Sequence, residues 1–200
     1  MELTVKQSVD VLKRGGVIAY ATETVYGLGC SVSNEKAIQR LYELKQRDAN
    51  HPVLVLVDGI SMMQSLVTEV TAETKILIDR FWPGPLTLIL KARSAVTGSI
   101  TGPGHTLGLR HSSDAICQEI LALYGQPLIS TSANPTGMPP AHSASDVKRY
   151  FANRLDGIVD DGFREGRPST IVDVTCSRVR LVREGDIPMR DILETIEEMD

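Results

Sequence analysis

A single α/β domain around a mixed sheet, with helices on its faces, is the fold this sequence predicts. Three observations carry that prediction. VLVLV (53–57) is a continuous apolar run, the mark of a strand covered on both faces. Segments with helical periodicity alternate with strand-like runs through the first half of the chain. Short strand candidates then cluster late, as GIVD, TIVDV and RVRLV. The 200 residues suffice for a sizeable core, and no repeat or long Pro/Gly/Ser linker divides them.

The elements follow in order. Val5, Val9 and Leu12 recur at helical spacing, and Gly15-Gly16 supplies a C-terminal stop. VIAYAT (17–22) reads as a strand, and a strand-to-helix turn through ATETVYGLG leads to a helix over roughly 34–45. A helix around 72–81 stops at the breaker FWPGP, and LTLIL (86–90) follows as a strand. LGLR (107–110) is a short strand, and the segment 113–124 is an amphipathic helix ended by Gly125. PLI (127–129) reads as the end of a buried strand, left through Ser130, Thr131, Ser132 and Asn134. A helix near 145–154 is begun by Ser143 or Ser145. Three short strands and a helix from about 188 complete the chain.

Composition narrows the function. The 42% hydrophobic and 23% charged fractions are those of a soluble globular protein. No apolar run reaches the roughly 18 residues of a membrane span. MELTVKQSVDVLKRGG is charged and lacks the apolar centre of a signal peptide, so the expected location is cytoplasmic. Three scattered cysteines make neither a zinc site nor a disulfide framework, and no metal site is expected. A formal net charge of −4 and few aromatics (one Trp, five Tyr, three Phe) argue against a nucleic-acid-coating surface.

Ligands of open α/β sheets collect beyond strand ends, and polar residues there concentrate in five places. ATETVYGLG offers Thr22, Glu23 and Thr24 beside two glycines, although a plain turn needs no more. ELKQR places Lys45 and Arg47 at a helix end. Cations are favoured there by the helix dipole; if the chain has already left the helix, the two point the same way and clamp phosphate. TLGLR ends in Arg110, suited to bidentate carboxylate or phosphate. Ser132 and Asn134 are again two apart, where one turn or cap needs fewer polar groups. Ser169 precedes a strand. On the last strand Val179, Leu181 and Arg183 alternate onto one face, with Arg178 and Arg180 on the solvated one.

A G-x-x-x-x-G-K-[ST] loop and an H-E-x-x-H motif are both absent. His111, Ser112, Ser113 and Asp114 adjoin only in sequence, which is coincidence rather than a triad. An inventory of cations and hydroxyls without an evident nucleophile suits chemistry whose reactive atoms come from the substrates, such as adenylation.

Taken together, ATETVYGLG, ELKQR, FWPGPLTLIL, LGLR, STSAN-x-[ST]-G, PSTIVD and LVREG resemble the YrdC family of threonylcarbamoyl-adenylate synthases, in its short form, over about residues 8–190. The resemblance implies a twisted mixed sheet with a large cleft. It implies a synthase that joins L-threonine, bicarbonate and ATP, with Mg2+ accompanying the triphosphate, into threonylcarbamoyl-AMP and pyrophosphate. The product serves tRNA modification beside the anticodon, through direct tRNA contact or through partner proteins. The K-x-R and S-x-N signatures fall on Lys45, Arg47, Ser132 and Asn134 as catalytic residues. By the same matching, Arg47, His51, Thr106, Ser132, Asn134 and Arg183 bind ATP, and Thr24, Arg110, Ser130 and Ser169 bind threonine. Departures from the family pattern fall at Ala21, Asp48, Leu56, 111–115 and Pro140.

Two other readings compete. An RNA-binding module of the same fold leaves the K-x-R and S-x-N signatures without a purpose. A carbamoyl transferase of the hydrogenase-maturation type, fed by carbamoyl phosphate, brings zinc-finger and acylphosphatase parts that these 200 residues lack.

Overall fold

The computed structural model describes residues 1–47, 53–176 and 178–198. Its strands are β1 (Ile18–Tyr20), β2 (Gly27–Ser31), β3 (Leu54–Leu56), β4 (Leu86–Lys91), β5 (Thr106–Arg110), β6 (Leu128–Ser132), β7 (Gly157–Val159), β8 (Thr170–Asp173) and β9 (Arg180–Arg183). Among the described residues these form one sheet in the order β7-β1-β2-β6-β3-β5-β4-β8-β9. The pairs β1/β7, β3/β5 and β4/β8 are parallel and the others antiparallel, so the sheet is mixed. The helices are α1 (Val5–Lys13), α2 (Glu35–Lys45), α3 (Ile60–Leu66), α4 (Ala72–Phe81), α5 (Ala115–Tyr124), α6 (Ala144–Phe151) and α7 (Met189–Glu197).

Local chemistry explains most boundaries. Thr4 and Gln7 form a reciprocal capping box at α1, and Asn34, Thr71 and Asp114 cap α2, α4 and α5. Of the two serines that could begin α6, Ser143 does so, accepting from the Asp146 amide. Gly125 ends α5 in the left-handed region.

Three features depart from the sequence reading. GLGCS is a strand rather than part of a turn into a helix. Its glycines admit neighbouring strands: a Cβ on Gly29 would meet Tyr20 Cε1 of β1 at 2.7 Å, and one on Gly27 would meet Ser130 Oγ of β6 at 3.1 Å. β6 runs on through Ser132 in register with β2, so the hydroxyls following Ile129 belong to the strand itself. On β9, Val182 is an extra residue. Leu181 therefore pairs with Val172 and Arg183 with Ile171, and simple alternation of Leu181 and Arg183 onto one face fails.

The two sheet faces are covered unequally. One carries a large core to which α2, α3, α4, α6 and α7 contribute. On the other, α1 and α5 cover a smaller set, the buried Ile18, Tyr20, Leu56, Leu128 and Val159 with Leu54 partly buried beside them. Strand register puts Gly27, Leu54, Arg110, Ser130 and Ser132 on that second face. Where the two helices stop, the face opens into the cleft.

Candidate functional site

The cleft contains a cavity of about 310 Å³, and Thr24, Arg47, Arg110, Ser130, Ser132, Ser169 and Arg183 all reach its wall. Each arrives by its own route. Ser130 and Ser132 alternate along β6, Arg110 ends β5, and Arg183 ends β9 opposite Ile171. Thr24 sits in the turn between β1 and β2, and Ser169 immediately precedes β8. Arg47 follows Gln46, whose left-handed φ of 50° turns the chain out of α2. Thr22, Tyr26, Pro140 and Pro168 complete the rim.

Three arginines and no carboxylate line this wall among the described residues. Burial lowers the Arg183 pKa from its ordinary value, and the charges of Arg110 and Arg47 lower it further. Arg47 is likewise lowered, chiefly by burial. The guanidiniums therefore repel one another in a partly desolvated space, and a bound anion relieves that repulsion. Arg183 is aimed by donating to the Ser169 carbonyl through Nη2 (2.8 Å) and Nε (3.3 Å). The Ser169 hydroxyl lies 3.0 Å from Thr87 Oγ1. Serines, threonines and arginines suit phosphate and carboxylate oxygens rather than a resident cation. No group of three or more His, Cys, Asp or Glu is placed to hold a metal among the described residues.

Lys45, Asn134 and Thr106 are not on the wall. Lys45 is the last residue of α2, so it has not left the helix, and the extended geometry that would point it the same way as Arg47 is not formed. Its Nζ donates instead to the carbonyls of Ser132 (2.5 Å) and Asn134 (2.9 Å), and the Thr136 amide donates back to the Lys45 carbonyl (2.8 Å). Burial, reinforced by Arg47, lowers the ammonium to about 7. Asn134 Nδ2 donates to the carbonyls of Pro135 (3.1 Å) and Met138 (2.5 Å), holding the turn after β6. Thr106 lies at the other end of β5 from Arg110, with its hydroxyl donating to Pro103 O (3.1 Å). His51 falls outside the described residues.

Residues outside the expected set support the site. The Glu23 carboxylate accepts from Arg110 Nη2 (2.7 Å) and from the Ser112 hydroxyl. Glu23 was visible only as one of several polar groups in its turn, and Ser112 only as part of a chance HSSD run. Arg164, between β7 and β8, donates to Thr22 O (2.9 Å) and pairs with Asp114 (3.0 Å) and Asp161, tying its segment to the turn that carries Thr22. No spacing rule in the sequence announces such contacts.

The segment is also held by close backbone packing. A Cβ on Gly185 would collide with the Pro168 carbonyl and with the Ser169 backbone. Gly185→Ala is expected to destabilise the fold by about 1–3 kcal/mol, as overpacking does. Its urea midpoint checks this; an unchanged midpoint would mean that the Pro168–Ser169 backbone yields freely.

Comparison with known proteins places this geometry. The Sua5_yciO_yrdC family model, described as telomere recombination, matches residues 10–185. A threonylcarbamoyl-AMP synthase of Pyrococcus abyssi is 34% identical over 199 residues, which is 99% of this chain and 58% of that protein. This chain thus spans a little over half of the archaeal relative's length. An Enterobacter threonylcarbamoyl-AMP synthase is 33% identical over 172 residues, covering 85% of this chain and 90% of that one. Among solved structures, P. abyssi Sua5 complexed with L-threonine superposes with a TM-score of 0.93 at 33% identity, over 97% of this chain and 57% of that one. With the family model matching residues 10–185, most of the chain, and these relatives beside it, the chain belongs to the Sua5/YciO/YrdC family.

Proposed function

We propose that the chain is a threonylcarbamoyl-AMP synthase acting in threonylcarbamoyladenosine modification of tRNA. The observation that carries this reading is the meeting of Arg47, Arg110 and Arg183 with the hydroxyls of Thr24, Ser130, Ser132 and Ser169 on one cavity wall. Relatives named for this activity, and one solved with L-threonine, support it.

In this reading the threonine carboxylate pairs with Arg110, and Thr24, Ser130 and Ser169 hold the rest of the amino acid. The threonine amine and bicarbonate form a carbamate with loss of water. A carbamate oxygen then attacks the α-phosphorus of ATP, forming the mixed anhydride as the α–β P–O bond breaks and pyrophosphate leaves. Both reacting groups come from substrates. The protein aligns them and neutralises charge that builds on the phosphate oxygens, the role of Arg47, Ser132 and Arg183. Magnesium would accompany the triphosphate as part of that substrate and would neutralise phosphate charge there. Lys45 and Asn134 act from behind, by fixing the backbone that carries Ser132.

Pyrophosphate release by the purified chain tests the proposal. Release is expected to require threonine, bicarbonate and ATP together. Release with ATP alone, or with carbamoyl phosphate in place of threonine and bicarbonate, would overturn it.

A further inference from the structure

Arg110 lines the cavity, yet its side chain is only 7% exposed, and its ion-pair partner Glu23 is not part of the cavity wall. Nη2 donates to Glu23 Oε2 at 2.7 Å, with Thr24 Oγ1 a distant 3.5 Å away. Ser112 donates its hydroxyl to the same carboxylate oxygen. Ser112 is itself fixed by α5: the Asp114 amide donates to its hydroxyl (3.3 Å), and Gln118 Nε2 donates to its carbonyl (3.0 Å). Arg164 ties Asp114 to the carbonyl of Thr22, so the Glu23 turn and the start of α5 are clamped together.

We infer that Glu23, held by Ser112, is a positioning residue that orients the Arg110 guanidinium toward the carboxylate of the amino-acid substrate, an inference that rests on the synthase reading above. Glu23 contributes nothing to the cavity wall and therefore acts through Arg110. Charge makes the support necessary. Arg47 and Arg183 are the other cations on the wall, and an Arg110 without a counter-charge would be pushed away from them. Redundancy is low: the buried Arg110 Nε and Glu23 Oε1 have no hydrogen-bond partner, so the Glu23 ion pair and the longer Thr24 contact, both at Nη2, hold the fork. Bidentate recognition of a carboxylate depends on that plane.

The test uses the full chain with Glu23→Gln, which keeps shape and an acceptor, and Ser112→Ala, which leaves the charge in place. For Glu23→Gln the KM for threonine is expected to rise about 10-fold or more, as for a lost bond to a charged group, with the KM for ATP within about twofold. Ser112→Ala is expected to shift the same constant in the same direction, by less. A readout without turnover accompanies these. In 15N NMR, the Arg110 guanidinium, assigned through Arg110→Lys, is expected to rotate slowly in the wild type and freely in Glu23→Gln. Unchanged kinetics, or a fall in kcat with both KM values fixed, would overturn the inference and leave Glu23 a structural residue. Unchanged rotation would overturn it as well. If the wild type needs no threonine, the synthase reading fails instead; altered rotation would then show that Glu23 still holds Arg110, while the amino-acid role is lost.

Discussion

Arg47→Ala is expected to lower pyrophosphate release by about 100-fold or more, the scale on which other groups that stabilise transition-state charge act. The reason is position and environment together. Arg47 reaches the cavity wall because Gln46 reverses the chain at the end of α2, and its charge is held in a partly buried setting. A cation there interacts strongly with charge that develops nearby, because little water screens it. Arg183 stands on the same wall but is committed to the Ser169 carbonyl, so it cannot move to replace a lost neighbour without giving up that anchor. Arg47→Lys is expected to recover only part of the loss, since a point charge returns without the planar fork. The measurement is kcat/KM for ATP with threonine and bicarbonate saturating, alongside a thermal melt to confirm folding. A folded Arg47→Ala protein within about threefold of wild type would remove Arg47 from the charge-stabilising role.

Much of this arrangement was legible in the sequence, for identifiable reasons. VLVLV contains β3 and LTLIL contains nearly all of β4, and both could be read because their burial pattern is local. The helices at 35–45, 72–81 and 115–124 carry their own caps and apolar stripes, so they too could be placed. β2 could not be. Gly27 and Gly29 are poor strand residues, and the reasons for them lie on other strands: Ser130 crowds Gly27, and the Tyr20 ring crowds Gly29. The one-residue bulge at Val182 was equally silent, although it decides which β8 residue Arg183 joins.

The site divides along the same line. Hydroxyls and arginines at strand ends stand out because a core does not explain them. What brings Ser130 opposite Gly29 and Leu54 is sheet register, which spacing alone does not express. The pairing of Glu23 with Arg110 and Ser112 joins segments 87 and 89 residues apart. Such supporting contacts obey geometry and charge but leave no periodic trace.

Lys45 shows what that distinction implies. On spacing it belongs with Arg47 as one of two cations facing a phosphate; in the fold its Nζ is bound to the carbonyls of Ser132 and Asn134. Lys45→Met keeps the length and apolar stem but removes both donors. It is expected to cost about 1–3 kcal/mol of stability, since the Asn134 carbonyl loses its donor whereas the Ser132 carbonyl keeps the Asn134 amide (2.9 Å). The effect is also expected to depend on pH. Burial and Arg47 lower the folded-state pKa of Lys45 to about 7, whereas the unfolded chain keeps a value near 10.5. Between these values the unfolded state binds the extra proton, so wild-type stability rises with pH relative to Lys45→Met and levels off below about 7. Losing the proton does not release the turn, because a neutral amine retains two N–H donors for two carbonyls. Urea unfolding of both proteins at pH 6.5, 7.5, 8.5 and 9.5 would measure this. A difference in stability that stays flat over the series would show that Lys45 remains charged in the fold.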